Sequence, residues 1–323
     1  MRILIRNLKI LTLITCTIIL VLLRRPTTIE LPMRNRNISP VIVILYNCVP
    51  KCGSQLMSTL FQLLSNQTGA FTFIHNSRYI HHHLSTEEQH NLTIDLLKYT
   101  KNASGQPVVY ERHFHFIHLT PTSNNIFYYI NQLRDPLTRT LSHFDFRRFT
   151  CLVAHDEMQC SLIHSSLRNM TMDECVSTGD PGRCITHPYG VRSPIAYFCG
   201  HSSICDDTVT RPTSNAALAL AKSNIEQYYI YIGLLEYLES SLELLEYLQP
   251  SIFTGLVNTY VNILKRRRLN QVPKRYRHST TNRTRDILRQ LLKPEYELYN
   301  FIRLRFIDHY TRVFHRAPIY HEI

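Results

Sequence analysis

Residues 41–54 read VIVILYNCVPKCGS. VIVILY is a continuous, largely β-branched run, the pattern of a strand buried on both faces, as in a parallel sheet. It breaks into NCVPKCGS, after which Leu56, Leu60, Leu63 and Leu64 recur at helical spacing over 55–64. The segment therefore predicts a strand, a tight loop and a helix. Working outward, the same patterns predict strands at 70–74, 108–114, 126–130 and 228–233. Helices are predicted at about 86–99, 136–148, 213–225, 235–247, 283–292 and 294–315. Strands alternating with helices imply an α/β fold, a central mainly parallel sheet flanked by helices. No internal repeat and no second hydrophobic core boundary is visible, so one domain from 41 to 323 is the simplest account.

Composition supports that picture. The chain has 323 residues, 44% hydrophobic and 19% charged, with only 9 Gly, which excludes wholesale disorder and fibrous repeats. Net charge is +12, from 36 basic and 24 acidic residues. The surplus is local. Arg2, Arg6, Lys9, Arg24, Arg25, Arg34 and Arg36 face Glu30 alone in the first 36 residues, and KRRRLNQVPKRYR (265–277) contains no acid. A protein that coats nucleic acid is basic over a broader surface, so no nucleic-acid partner is expected, and two local anionic partners are.

Residues 10–23, ILTLITCTIILVLL, are apolar or small and flanked by Lys9 and Arg24-Arg25. Fourteen residues is short of the roughly 17–25 of a usual span, but including 3–8 with Arg6 and Lys9 snorkelling brings it into range. A cleaved signal peptide is the rival reading, but no small-residue cleavage site follows. The expectation is a cytosolic tail (1–9), a signal-anchor transmembrane helix (10–23), a stem (24–40) and a lumenal domain. Six N-x-S/T sequons, at Asn37, Asn66, Asn91, Asn102, Asn169 and Asn282, are the candidate glycosylation sites. Setting aside Cys16 leaves eight cysteines, with close pairs at Cys151/Cys160, Cys175/Cys184 and Cys199/Cys205. There is no CxxC, and these spacings suit small disulfide loops in an oxidising lumen better than zinc. A thin Golgi bilayer would suit the short span.

Three motifs carry chemistry. Val49-Pro50-Lys51-Cys52-Gly53-Ser54 opens a helix after the first strand, where backbone N–H groups and the helix dipole receive anions. Lys51 adds a point charge and Ser54 stands at the expected N-cap. The nucleotide-kinase pattern G-x-x-x-x-G-K-[ST] is absent, so the loop either binds phosphate in another way or is simply a strand-to-helix turn. In Asn131-Gln132-Leu133-Arg134-Asp135-Pro136, Asp135 reads as an N-cap and Pro136 as the first helical residue. Arg134 and Ser142 then either grip a phosphate jointly or leave Arg134 to a surface carboxylate. In Tyr110–Phe116, an extended chain puts Glu111, His113 and His115 on one face. A histidine there suits a general base, although with 17 His in the chain most are structural or exposed. His81-His82-His83 reads as a solvated helix approach, since consecutive residues point different ways.

Taken together, VPKCGS (49–54), RHFHF (112–116), NQLRDPLTRTLSHFDFRRF (131–149), DEC…C (173–184) and YFCGHSSIC (197–205) resemble the glycosaminoglycan 2-O-sulfotransferases. The likeness is to both branches, the heparan sulfate 2-O-sulfotransferases and the uronyl 2-sulfotransferases. It implies transfer of a sulfuryl group from 3′-phosphoadenylyl sulfate (PAPS) to the 2-hydroxyl of a uronic acid in heparan, dermatan or chondroitin sulfate. Lys51, Cys52, Gly53 and Ser54 would form the 5′-phosphosulfate loop, with Lys51 at the leaving oxygen. Arg134 and Ser142 would hold the 3′-phosphate, with Arg277 and Ser279 closing on it. His113 would be the base, with His115 the rival for that role. Arg112, Arg147 and Arg148 would meet the glycan's carboxylates or sulfates. The resemblance also implies disulfides Cys175–Cys184 and Cys199–Cys205, to which the spacing adds Cys151–Cys160, and it points to a Golgi type II protein and a homotrimer. The motifs call for no metal. One departure stands out: Glu111 replaces a histidine of the heparan branch. A catalytically silent glycan binder is the alternative from another class.

Overall fold

VIVILY does become the buried strand its composition predicts. β1 (Val41–Tyr46) buries Val43, Ile44 and Leu45 completely. It lies at the middle of a five-stranded sheet with β2 (Thr72–His75), β3 (Val108–Glu111), β4 (Asn125–Leu133) and β5 (Tyr229–Leu234). The order is β2-β3-β1-β4-β5 and every pairing is parallel. Val43 pairs with Val108 on one side and Phe127 on the other. The computed structural model describes residues 40–76, 82–122, 124–161, 163, 166, 168–185, 191–206, 214–265 and 272–322. The predicted tail, anchor and most of the stem, Asn37, His81 and Arg266–Arg268 lie outside the described residues. Among those described, no helix is long and apolar enough to cross a membrane.

Among the described residues, seven longer helices alternate with or follow the strands: α1 (Ser54–Thr68), α2 (Thr86–Asn102), α3 (Pro136–Leu152), α4 (Asn215–Tyr228), α5 (Leu238–Leu248), α6 (Asn282–Leu291) and α7 (Lys293–Phe314). Their starts are written locally. Ser85 and Glu88 close a capping box on α2, and the Asp135 side chain accepts from Thr138 N–H ahead of Pro136. Ser214 and Thr281 cap α4 and α6 in the same manner.

Several boundaries differ from expectation. β3 stops at Glu111 instead of continuing to Phe114, because the chain leaves the sheet to meet other partners: His115 N–H donates to the His82 carbonyl and Phe116 N–H to that of Tyr197. β4 extends to Leu133, so Arg134 follows the strand directly. The residue before α1 is Gly53, not Ser54, and no side chain caps that end. Beside the main core lies a second cluster, in which Leu137, Phe144 and Cys151 of α3 meet Ile163, Cys175, Cys184 and Leu288.

The topology already locates a site. From β1 the chain crosses outward to β2 and β3, whereas from β4 it crosses the other way to β5. Connections that diverge from two adjacent parallel strands open a crevice at their carboxyl ends, where ligands of open α/β sheets bind. Here that crevice falls between the loop after β1 and the turn after β4.

Candidate active site

The loop after β1 is held by a knot of buried amides. Asn47 Nδ2 donates to the Tyr197 carbonyl (3.0 Å), and its Oδ1 accepts from Asn131 (2.9 Å) and the Tyr229 hydroxyl (3.0 Å). Arg139 of α3, wholly buried, reaches across: Nε donates to the Pro50 carbonyl (2.9 Å) and one terminal nitrogen to that of Arg192 (2.8 Å). Lys51 and Gly53 both adopt positive φ, 67° and 88°. The first helical bond of α1 runs from Met57 N–H to the Gly53 carbonyl, leaving the N–H groups of Ser54, Gln55 and Leu56 directed out of the helix end. A helix end with no side-chain cap, opening on a crevice, is suited to an anion.

A cavity of about 1780 Å³ opens from this loop and the β4 turn. Lys51, Gly53, Ser54, His113, Arg134, Ser142, Arg147 and Arg277 all line it, gathering residues spread over more than two hundred positions. Lys51 Nζ sits 3.9 Å from the centre of the Phe146 ring. Burial, helped by the Arg134 and Arg277 charges, lowers its pKa to about 8. Arg134 Nε donates to Thr138 Oγ1 (3.1 Å), so its guanidinium stays at the head of α3. Glu236, buried at the end of β5, accepts from Asp135 N–H (2.7 Å) and from the Tyr299 hydroxyl (3.0 Å), locking the turn that carries Arg134. Arg277 donates to the Val272 carbonyl at 3.3 Å.

His113 lies on the cavity wall beyond β3. Its Nδ1 is 2.6 Å from the Cys48 carbonyl oxygen and 3.1 Å from the Cys48 sulfur. Burial lowers its pKa, with the carbonyl bond acting in the opposite sense. A second imidazole, His82, packs 5.4 Å away ring to ring and bonds the Tyr197 hydroxyl through Nδ1 (2.6 Å). Both His82 and Tyr197 line the cavity.

Other predicted residues sit elsewhere. His115 is buried among His83, His201 and Tyr197, off the cavity, and burial drives its pKa well down. Glu111 accepts from Ser58 Oγ (2.6 Å) and pairs with His75 (3.1 Å), and its charge acts on His113 against the effect of burial. Arg112 is buried away from the cavity. Arg147 and Arg148 part company: Arg147 lines the cavity, whereas Arg148 donates to the Met170 carbonyl (2.8 Å) and stacks 3.0 Å over Phe144 in the second core. Cys52 is buried, with its thiol pushed up to about 11 by desolvation. Ser279 is exposed and stands outside the cavity lining.

Three disulfides form, Cys151–Cys160, Cys175–Cys184 and Cys199–Cys205, while Cys48 and Cys52 are free. Cys151–Cys160 ties down the C-terminal end of α3, and both it and Cys175–Cys184 border the second core. Asn66, Asn91, Asn102, Asn169 and Asn282 are all exposed. The residues that sequence reasoning missed are Arg139, Arg192, Glu236, Asn47, Asn131 and His82, the last read as part of a solvated helix approach but lining the cavity against Tyr197. Only Arg139 left a signal, one turn before Ser142 on the helix that bears Arg134's cap.

The sequence pattern of the sulfotransferase family matches residues 34–302. The chain belongs to the sulfotransferase family. Mouse uronyl 2-sulfotransferase is 29% identical over 265 residues, 81% of this chain and 62% of that protein. A Caenorhabditis elegans heparan sulfate 2-O-sulfotransferase is 27% identical over 265 residues, covering 80% and 76%. Heparan sulfate 2-O-sulfotransferase 1 of Xenopus laevis is 30% identical over 227 residues, covering 68% and 58%. The chain thus spans about three fifths of the mouse sulfotransferase's length.

Proposed function

We propose that this sulfotransferase moves a sulfuryl group from PAPS to the 2-hydroxyl of a uronic acid within a glycosaminoglycan, heparan sulfate or dermatan/chondroitin sulfate. One observation carries the reading. An anion-receiving helix end, Lys51, Arg134 and an imidazole with a fixed tautomer open into one cavity at the sheet's switch point.

The residues fit such a donor. The N–H groups at the start of α1 and Lys51 receive the 5′-phosphosulfate, and Arg134 with Ser142 receives the 3′-phosphate. His113 Nε2 takes the proton from the 2-hydroxyl as its oxygen bonds to sulfur. The bond from sulfur to the bridging phosphate oxygen breaks, and Lys51 meets the charge that this oxygen keeps. PAPS supplies the activated sulfuryl group; the protein supplies position and charge. Arg147, which lines the same cavity, meets the glycan's anionic groups. The three disulfides, the exposed sequons and the apolar 10–23 segment support a Golgi type II protein with this domain in the lumen.

The test is sulfate transfer from labelled PAPS by the purified full chain to desulfated heparan, dermatan and chondroitin in parallel, followed by disaccharide analysis. A 2-O-sulfated uronic acid product is expected from at least one. Retention of the desulfo product, 3′-phosphoadenosine 5′-phosphate (PAP), with no transfer to any acceptor would favour the silent glycan binder.

A further inference from the structure

One wall of the cavity is built by α6 and α7, which carry a row of cations. Arg285 and Arg289 stand one turn apart on α6, Lys293 is the first residue of α7, and Arg303 follows ten residues on; all four line the cavity. One turn separates the first two by about 6 Å along the axis, and ten residues separate the last two by about 15 Å. No single phosphate or sulfate spans that length.

The row is held in place from behind. Leu288 and Leu292 are buried in the second core between the row's members, so α6 is not free to turn it away. Arg285 Nε donates to the Thr280 carbonyl (3.2 Å), which leaves the side chain's charge uncompensated by that bond. Arg289 pairs with Asp286 at 2.8 Å, but Asp286 is 71% exposed, and a surface pair of that kind gives way readily to a stronger anion. Of the four acids that line the cavity, Asp135 caps α3, Glu236 holds the Asp135 turn and Tyr299, and Asp145 pairs with His278 at 3.3 Å, which leaves Glu322 near the C-terminus.

From this arrangement we infer that the α6–α7 row is a track for the anionic substituents of sugars flanking the acceptor residue, so that the protein favours long, already sulfated chains over short or unsulfated ones. The inference rests on the proposed glycosaminoglycan substrate. An elongated row of cations lining the same cavity as Lys51, Arg134 and His113 matches a polymer bearing an anion on each sugar. Point ligands such as the donor's phosphates are served, in the proposed reaction, by Lys51 and Arg134.

The test compares the parent with Arg285→Ala/Arg289→Ala and with Arg285→Lys/Arg289→Lys in the full chain. Salt elution from immobilised heparin is measured, together with KM for a long sulfated chain and for a short acceptor. The alanine pair is expected to elute at lower salt and to show KM for the long chain raised about three- to tenfold, corresponding to about one or two weak ionic contacts. KM for the short acceptor should rise less, and the lysine pair should recover most of the loss. PAP affinity and the thermal midpoint report whether the variants fold. Unchanged heparin elution in a folded alanine pair overturns the track, as does an equal loss for short and long acceptors. If the parent transfers no sulfate at all, the functional reading fails, and the heparin comparison alone still decides whether the row binds a polyanion.

Discussion

The Nδ1 atom of His113 lies 2.6 Å from the carbonyl oxygen of Cys48, the first residue but one after β1. A carbonyl can only accept, so Nδ1 holds the ring proton and Nε2 carries the lone pair. The bond thereby fixes both the tautomer and the direction of the imidazole, as a second partner does for a general base in other enzymes. His113→Ala should lower kcat by about 10²–10⁴-fold, the usual contribution of a positioned base. Donor affinity should barely change, since His113 touches only the acceptor side of the proposed reaction. A variant that transfers sulfate at the parent's rate would remove His113 from the mechanism.

The pH dependence follows from two depressed pKa values with opposite requirements. His113 must be neutral to accept a proton, and burial lowers its pKa, so activity should persist at pH values below the ordinary histidine range of about 6.5 and fall only beneath its own pKa. In the proposed reaction Lys51 must be charged to meet the leaving oxygen, and its pKa stands at about 8, so activity should fall again as pH rises through that value. The kcat/KM profile, which reports the free enzyme, should be a bell with its alkaline limb near 8. Lys51→Arg should abolish the alkaline limb while lowering the rate, because a guanidinium stays protonated throughout. An alkaline limb that survives in Lys51→Arg would assign it to another group.

How much of this was legible in the sequence depends on how local each signal is. VIVILY and the Asp135-Pro136 start are written within a few residues, and each marks an element that forms. The loop's supports are not local: Arg139 meets Pro50 across 89 positions and Glu236 meets Asp135 across 101. No spacing rule reaches that far. His113 and His115 could not be separated by alternation because the alternation itself ends at Glu111, where the chain quits the sheet. Arg147 and Arg148, adjacent at a helix end, are turned about 100° apart by the helix, which sends one to the cavity and the other to the second core.

Arg139 is a buried cation whose two donated bonds both go to backbone carbonyls, one of them in the anion loop. Arg139→Met keeps much of the volume but leaves the Pro50 and Arg192 carbonyls without that donor. Hydrogen bonds to charged groups contribute about 1.5–3 kcal/mol, and the relief of burying a charge offsets part of the loss, so a net destabilisation of about 2 kcal/mol is expected. Loosening Pro50 should also weaken PAP binding. Chemical denaturation and calorimetric titration measure the two effects separately. Loss of stability with PAP affinity intact would show that the brace serves the fold and not the loop.

Gly53 gives the sharpest test of the loop itself. At φ 88° any side chain is strained, and a Cβ there would come within 2.9 Å of Leu235 Cδ1. Leucine's methyl can swing aside, so the backbone term should dominate, at about 1–2 kcal/mol for forcing an L-residue into the left-handed region. Gly53→Ala should therefore lose about that much stability, and the helix end should move enough to weaken PAP binding. Adding Leu235→Ala removes the contact but leaves the backbone strain. The double variant should then recover only a small part of the PAP affinity. Full recovery would mean that the side chain of Leu235, not the turn at Gly53, sets the shape of the anion site.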